Sequence, residues 1–98
     1  MITKRDGSAP EKVLVTFGLP ARIWADNVCL VGDFNNWDMR ATPMHMDGGD
    51  TWQVTLELER GRSYEYRYLL DGENWCNDSN ADRSVPNQYG GQNSVVDT

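Results

Sequence analysis

Two neighbouring segments of the chain alternate apolar and polar residues, and this pattern restricts the fold more than any other feature. TWQVTLELE, residues 51–59, has an apolar residue at every second position, and SYEYRYLL, residues 63–70, repeats the pattern with three tyrosines and a leucine. A period of two is typical of β-strands that bury one face. Gly61 and Arg62 between the segments indicate a turn, so we expect an antiparallel hairpin.

Shorter segments predict the other strands. KVLVTFGLP, residues 12–20, alternates in the same way, and NVCLVGDF predicts a strand at about 27–33. A short edge strand is expected at Trp75 and a last strand at 93–97. The polar stretch between them, residues 77–92, is expected to form a surface loop. Since no segment keeps a helical period beyond one turn, the pattern favours an all-β sandwich.

The length of the chain limits it to one domain. In 98 residues a single core buries roughly two thirds of the unfolded surface, and there is no room for a second core. Residues 1–11 carry charges, a glycine and a proline without periodicity, so we expect a flexible N-terminal lead-in. The domain is predicted to occupy residues 12–98.

The charge distribution restricts the partners. The net charge is −6, from 15 acidic and 9 basic residues, and Lys and Arg form no cluster that could neutralise phosphates. Nucleic acid and anionic membranes are therefore poor partners. No apolar stretch approaches the roughly 18 residues of a membrane span, and the opening MITKRDGSAPE lacks the apolar segment of a signal peptide. We expect a cytoplasmic location.

Two features could suggest metal binding. His45 lies between two methionines, which suits either a copper ligand or, as we favour, a solvated histidine in a turn or at a strand edge. Asp78, Asn80 and Asp82 have the spacing that opens a calcium loop, but Arg83 occupies the position of the required glycine. We expect no bound metal.

The remaining polar chemistry does not suggest catalysis. Cys29 and Cys76 lie without CxxC spacing or a nearby histidine, so we expect two reduced thiols, with a disulfide as the alternative in an oxidising compartment. The sequence offers no nucleophile with its base and no phosphate-binding glycine pattern followed by a helix. A pair of catalytic carboxylates would have little room for a cleft in so small a domain. We expect a protein that is not an enzyme and uses no cofactor.

The four tryptophans fall into two classes. Trp52 belongs to the apolar face of a strand and Trp24 is expected to be structural, whereas Trp37 and Trp75 lie among Asn, Asp and Gly at strand ends. An indole there leaves one face toward water, and a flat apolar face with an N–H donor suits a sugar ring. The pattern leaves two interpretations open: two platforms for adjacent glucose units, or two lids over the end of the sandwich.

Several of these segments together resemble a known family. VCLVGDFNNWD, the stretch DGGDTWQVTLELERGRSYEYRYLLDG, NWCND and the closing GGQNSVV are similar to the starch- and glycogen-binding module at the N-terminus of isoamylases and glycogen branching enzymes, carbohydrate-binding module family 48. The glycogen-binding domain of the AMP-activated protein kinase β subunit is similar. The resemblance implies an immunoglobulin-like early-set (E-set) β-sandwich of about seven antiparallel strands, without catalytic residues.

The resemblance also implies a set of site residues. The tryptophan of the family's G-x-F-N-x-W turn falls on Trp37, and the tryptophan that follows its D-G turn falls on Trp75. The basic residue of its Y-K-F strand falls on Arg67, and the asparagine that opens its last strand falls on Asn93. Tyr89 occupies the position of a leucine that lies beside the sugar in the kinase-subunit form.

Two functions follow as hypotheses. The first is a non-catalytic carbohydrate-binding module that recognises α-1,4-linked glucan, such as glycogen, starch or a maltooligosaccharide, by tryptophan stacking. The alternative is an interaction or scaffold module that docks on a glycoside hydrolase, another glycan-metabolising enzyme or a kinase complex and binds no sugar. A neutral polymer needs no basic surface, which agrees with the net charge of −6.

Overall fold

The computed structural model describes residues 2–20, 25–47 and 51–98. These residues form nine β-strands and one 3-10 turn, Asp33–Asn35. The strands are β1 Ile2–Asp6, β2 Lys12–Pro20, β3 Val28–Gly32, β4 His45–Asp47, β5 Thr51–Glu59, β6 Ser63–Leu70, β7 Asn74–Cys76, β8 Arg83–Pro86 and β9 Gln92–Asp97. Trp24 lies outside the described residues. None of the described residues belongs to a helix long and apolar enough to cross a bilayer.

The strands form two antiparallel sheets. Sheet I has the order β1-β2-β5-β4, and sheet II has the order β3-β6-β9-β8, with β7 also paired to β6. Every strand pairing in both sheets is antiparallel. The predicted all-β sandwich is therefore confirmed, although the described residues contain nine strands rather than about seven.

The core lies between the two sheets, and the alternation of the sequence determines which side chains enter it. Sheet I contributes the odd-numbered residues of β2 and the apolar residues of β5, and sheet II contributes the tyrosine face of β6. The central buried side chains are Val13, Val15, Phe17, Leu19, Leu30, Leu58, Tyr66, Tyr68, Leu70 and Val96. Phe17 and Tyr66 meet edge to face across the core, with ring centroids 5.0 Å apart.

The predicted hairpin of residues 51–70 is wrong. β5 pairs with β2 and β4 in sheet I, whereas β6 pairs with β3, β7 and β9 in sheet II. The turn at Gly61, whose φ is +79°, therefore carries the chain from one sheet to the other. The apolar faces of the two strands meet across the core instead of lying side by side.

Three strands lie where the sequence predicted none. β1 falls within the expected lead-in, β8 falls within the expected loop 77–92, and β4 follows the buried Met44. All three are edge strands with mostly exposed side chains. Because backbone hydrogen bonds to β2, β9 and β5 hold them in place, their residues need no apolar alternation. His45 is the first residue of the edge strand β4 and is exposed, whereas its neighbour Met44 is buried.

The two cysteines are free and half-buried. Cys29 pairs with one side of β6, opposite Leu69, and Cys76 pairs with the other side, opposite Tyr68. Strands on either side of a common neighbour lie about 9.6 Å apart, beyond the reach of a disulfide. Burial raises the pKa of both thiols, which favours the unreactive protonated form.

A buried carboxylate ties the segment after β7 to sheet II. Asp78 Oδ2 accepts hydrogen bonds from the hydroxyls of Tyr66, at 2.9 Å, and Tyr68, at 3.0 Å. The Asp78 backbone N–H donates to Ser94 Oγ at 2.8 Å. Asp78, the first residue of the calcium-loop spacing, instead points inward and anchors the chain just after Trp75.

Candidate functional site

A groove of about 640 Å³ lies on the face of sheet II that points away from the core. Its floor includes Glu65 and Arg67, which alternate with the buried tyrosines of β6. All five residues assigned to a site from the sequence line this groove: Trp37, Arg67, Trp75, Tyr89 and Asn93. The fold thus brings together residues from the turn after β3, from β6, β7 and β9, and from the β8–β9 loop.

The turn Gly32–Trp37 holds the first indole at the groove. Asn35 organises this turn, since its Oδ1 accepts the Gly32 N–H and its Nδ2 donates to the Leu30 carbonyl at 2.9 Å. Asn36 and Trp37 then adopt φ values of +57° and +58°, a region that is strained for residues other than glycine. The Trp37 indole N–H donates to Asp33 Oδ1 at 2.9 Å.

These contacts explain why a large indole can occupy a turn. The Asp33 carboxylate also accepts the Glu65 backbone N–H, at 2.8 Å, so Trp37 is connected through Asp33 to β6. The indole is half-buried, and its polar atom is already paired. Its remaining surface contributes to the groove as an apolar face.

Gly32 permits this arrangement because the end of β3 lies directly against β6. A Cβ at position 32 would come within 2.5 Å of the Glu65 carbonyl oxygen and 2.8 Å of Tyr66 Cβ. We expect Gly32→Ala to lower the free energy of unfolding by about 1–3 kcal/mol, as overpacking does in tight sites. Urea unfolding measures this change. Gly91→Ala is the matched control, since its nearest neighbour would be 3.4 Å away, and equal losses in the two variants would contradict the prediction.

Trp75 and Arg67 form a second unit on the groove. Trp75 lies on β7 opposite Leu69 and is 41% exposed. The Arg67 guanidinium carbon lies 5.5 Å from the centroid of the Trp75 ring, a cation–π distance. Arg67 Nε donates to Asn77 Oδ1 at 3.1 Å, which fixes the direction of the guanidinium group.

Asn93 and Tyr89 belong to the other side of the groove. Asn93 is almost fully buried, at 9% exposure, and its amide is hydrogen bonded to Glu65 and to Asn87. Tyr89 is 85% exposed at the tip of the β8–β9 loop. Its backbone N–H donates to Asn87 Oδ1 at 2.9 Å, so the loop is ordered beneath an exposed ring.

Sequence reasoning did not assign the other residues that line the groove: Asp33, Met39, Glu65, Pro86, Asn87 and Gln88. Glu65 could have been found, because strand alternation places it on the same face as Arg67. The sequence also indicates Asp33 as a site residue, since it lies four residues before Trp37 within the same turn. No sequence pattern indicates Asn87, because its role depends on the shape of the β8–β9 loop.

The groove combines apolar surfaces with hydrogen-bonding groups, a composition that suits a neutral, amphipathic ligand. Indole faces supply apolar surface, while amides, carboxylates and one guanidinium supply hydrogen-bond donors and acceptors. Arg67 is the one cation among the described residues that line the groove, and Asp33 and Glu65 are carboxylates, so these side chains bring no excess positive charge. Among the described residues, no cluster of His, Cys, Asp and Glu has the arrangement of a metal site.

The sequence matches known proteins in agreement with this architecture. The family model for carbohydrate-binding module 48 (isoamylase N-terminal domain) matches residues 16–90. Residues of the chain are 36% identical over 73 positions to a 1,4-alpha-glucan branching enzyme of Pseudomonas putida, covering 69% of the chain and 10% of the enzyme. A branching enzyme of Aquifex aeolicus is 41% identical over 58 residues, covering 54% of the chain and 9% of the enzyme.

A third branching enzyme is also similar to part of the chain. The 1,4-alpha-glucan-branching enzyme of Emericella nidulans is 46% identical over 43 residues, which cover 41% of the chain and 6% of the enzyme. The chain thus spans at most about a tenth of the length of these relatives. Because the family model covers most of the chain and the fold is a two-sheet β-sandwich, the chain belongs to the carbohydrate-binding module 48 family.

Proposed function

We propose that the chain is a non-catalytic carbohydrate-binding module that binds α-1,4-linked glucan in the groove on sheet II. The observation that carries this proposal is the convergence of Trp37, Arg67, Trp75, Tyr89 and Asn93 on one groove. The family resemblance assigns the same five residues to the site. Membership of a carbohydrate-binding family and similarity to enzymes named for 1,4-alpha-glucan support the ligand class.

In this proposal the two tryptophans provide the apolar contacts. A pyranose ring has an apolar face of C–H groups, which would lie against an indole face and be removed from water. Trp37 suits this role because its N–H is already bonded to Asp33, so only its apolar surface remains to be covered. Trp75 suits it because the ring is held on β7 and is substantially exposed.

The polar residues of the groove would bind the hydroxyls at the rim of the sugar. Arg67 uses its Nε for Asn77, which leaves its terminal N–H groups as donors. Asn93 uses one N–H for Glu65, so its second N–H can donate to a hydroxyl. Tyr89, exposed at the tip of its loop, would stack on the sugar or hydrogen bond with its hydroxyl. Affinity in the micromolar to millimolar range, about −4 to −8 kcal/mol, is expected for so open a groove.

A fluorescence titration tests the proposal. Maltoheptaose should change the tryptophan fluorescence of the protein in a saturable way, because the ligand would cover two indoles. Isomaltoheptaose is the matched control, since it has the same number of glucose units in α-1,6 linkage and should bind more weakly. A flat titration with maltoheptaose at millimolar concentration would contradict the proposed function.

A second candidate is a docking module that binds protein without sugar. It is favoured by the relatives, in which the matching region is at most about a tenth of a larger enzyme and would lie beside other domains. The exposed Tyr89 and Trp75 would then be interface anchors. Native gels distinguish the two candidates, because glycogen in the gel should retard a glucan-binding module, whereas dextran should not. Equal mobility in both gels would favour docking.

A further inference from the structure

A chain of hydrogen bonds runs from the floor of the groove into the β8–β9 loop. Glu65 Oε1 accepts from Asn93 Nδ2 at 3.1 Å, and Asn93 Oδ1 accepts from Asn87 Nδ2 at 3.2 Å. Asn87 Oδ1 then accepts the backbone N–H groups of Tyr89, at 2.9 Å, and Gly91, at 3.1 Å. The loop that forms one wall of the groove is thus connected through two side-chain amides to a single carboxylate.

The carboxylate at one end of this chain and the two backbone N–H donors at the other end require the same direction. An ionised carboxylate can only accept hydrogen bonds, so Asn93 must turn its NH₂ group toward Glu65 and its oxygen toward Asn87. Asn87 must then donate to Asn93 and turn its own oxygen toward the loop. With the opposite orientation, the Asn87 NH₂ would face two backbone N–H donors, and both loop bonds would be lost.

We infer that Glu65 is a positioning residue of the groove, which sets the orientation of Asn93 and the conformation of loop 87–91. It acts on the ligand through these residues, in addition to any contact of its own. The loop is closed by the Asn87 N–H bond to the Gly91 carbonyl, at 2.9 Å, so a change in Asn87 affects the whole loop. Tyr89 therefore takes its place at the groove only while Asn87 keeps its orientation.

The other wall of the groove provides an internal control. Trp37 is held through Asp33 to the backbone N–H of Glu65, at 2.8 Å, and this bond does not involve the Glu65 side chain. A substitution of Glu65 should therefore disturb the loop wall and leave the Trp37 turn in place. A purely structural role of Glu65 would lower the stability of both walls together.

The test compares Glu65→Leu with Glu65→Gln by two-dimensional NMR and hydrogen exchange of the free protein. Glu65→Leu removes the acceptor and should speed exchange of the Tyr89 and Gly91 amides at least about tenfold, with shifts of the Asn87 and Asn93 side-chain resonances. Glu65→Gln keeps an oxygen that can accept from Asn93 and should stay within about threefold of the wild-type rates. Amides of the Trp37 turn should be unchanged in both variants.

Two further variants complete the design. Glu11→Leu makes the same chemical change in the β1–β2 turn, outside the groove, and should leave loop 87–91 unchanged. Glu65→Ala replaces Glu65→Leu if the leucine variant folds poorly and should give the same local effect. Unchanged exchange of Tyr89 and Gly91 in the leucine or alanine variant would overturn the inference. Equal disturbance by Glu65→Gln, or a uniform change over all amides, would also overturn it.

The effect on ligand binding rests on the proposed function, whereas the effect on the loop does not. If the proposed function holds, Glu65→Leu should raise the Kd for maltoheptaose about three- to tenfold, whereas the Kd of Glu65→Gln should stay close to the wild-type value. A local effect on loop 87–91 in a protein that does not bind maltoheptaose would support the positioning role and remove the glucan function. If the wild-type protein binds maltoheptaose but substitution of Glu65 leaves loop 87–91 unchanged, the glucan function would be supported and the positioning role overturned.

Discussion

Replacing Trp75 with alanine is expected to weaken maltoheptaose binding about thirtyfold. Trp75 is 41% exposed, which for an indole corresponds to about 100 Å² of accessible surface. A sugar ring that covers most of this surface would contribute about 2 kcal/mol at about 25 cal/mol per Å², and this is a factor of about thirty in Kd. Fluorescence of the remaining tryptophans or calorimetry would measure the change.

The same substitution should leave the protein folded. Trp75 lies on the short strand β7 and not in the central core, so we expect a loss of about 1 kcal/mol, which lowers the melting temperature by about 4–8 °C. Met46→Ala is the matched control for truncation of an exposed apolar side chain, because Met46 is also 41% exposed and lies in sheet I, away from the groove. It should bind maltoheptaose like the wild type.

A comparison with Trp37→Ala separates the two interpretations of the tryptophan pair. If both indoles stack on sugar, each variant should lose most of the binding while remaining folded. If Trp37 is a lid, its removal should instead lower the melting temperature with little effect on Kd. Unchanged affinity in Trp75→Ala, with wild-type binding intact, would contradict the assignment of Trp75 to the glucan site.

The sequence predicted the strands better than their pairing. The alternation in residues 51–59 and 63–70 correctly identifies β5, β6 and their buried faces. The same alternation of apolar and polar residues occurs in two strands joined as a hairpin and in two strands that face each other across a core. A glycine turn such as the one at Gly61 can join two strands of one sheet or two strands of different sheets. The sheet that each strand joins therefore depends on the other strands beside it, which only the tertiary structure determines.

The sequence likewise predicts some residues of the site and not others. Strand alternation places Arg67 and Glu65 on the outer face, and the polar surroundings of Trp37 and Trp75 indicate indoles that are not fully buried. Such signals are local, so they can be read from a few consecutive residues. The contact of Asn93 with Asn87 across the β8–β9 loop depends on a conformation that no short pattern specifies. The residues that support the site are therefore harder to predict than those that face the groove.

Asp78 is the clearest example of such a supporting residue, and its replacement is expected to cost more stability than Gly32→Ala or Trp75→Ala. Burial, followed by the nearby Asp78 charge, raises the pKa of the Tyr66 and Tyr68 hydroxyls well above the usual value of 10, so both remain protonated donors. Both donate to the Asp78 carboxylate. Asp78→Ala would leave two buried hydroxyls without this acceptor, at about 1–3 kcal/mol each.

We therefore expect Asp78→Ala to lower the free energy of unfolding by about 2–6 kcal/mol, a large part of the 5–15 kcal/mol typical of a domain. Asp38→Ala, at an exposed turn, is the matched control and should change it by less than about 1 kcal/mol. Combining Asp78→Ala with Tyr68→Phe should cost less than the sum of the two single changes, because one unpaired hydroxyl is removed. Urea unfolding of the four variants measures these differences. Additive losses would mean that water satisfies the tyrosine hydroxyls and that Asp78 anchors the segment after Trp75 through its other hydrogen bonds, among them its backbone N–H bond to Ser94 Oγ.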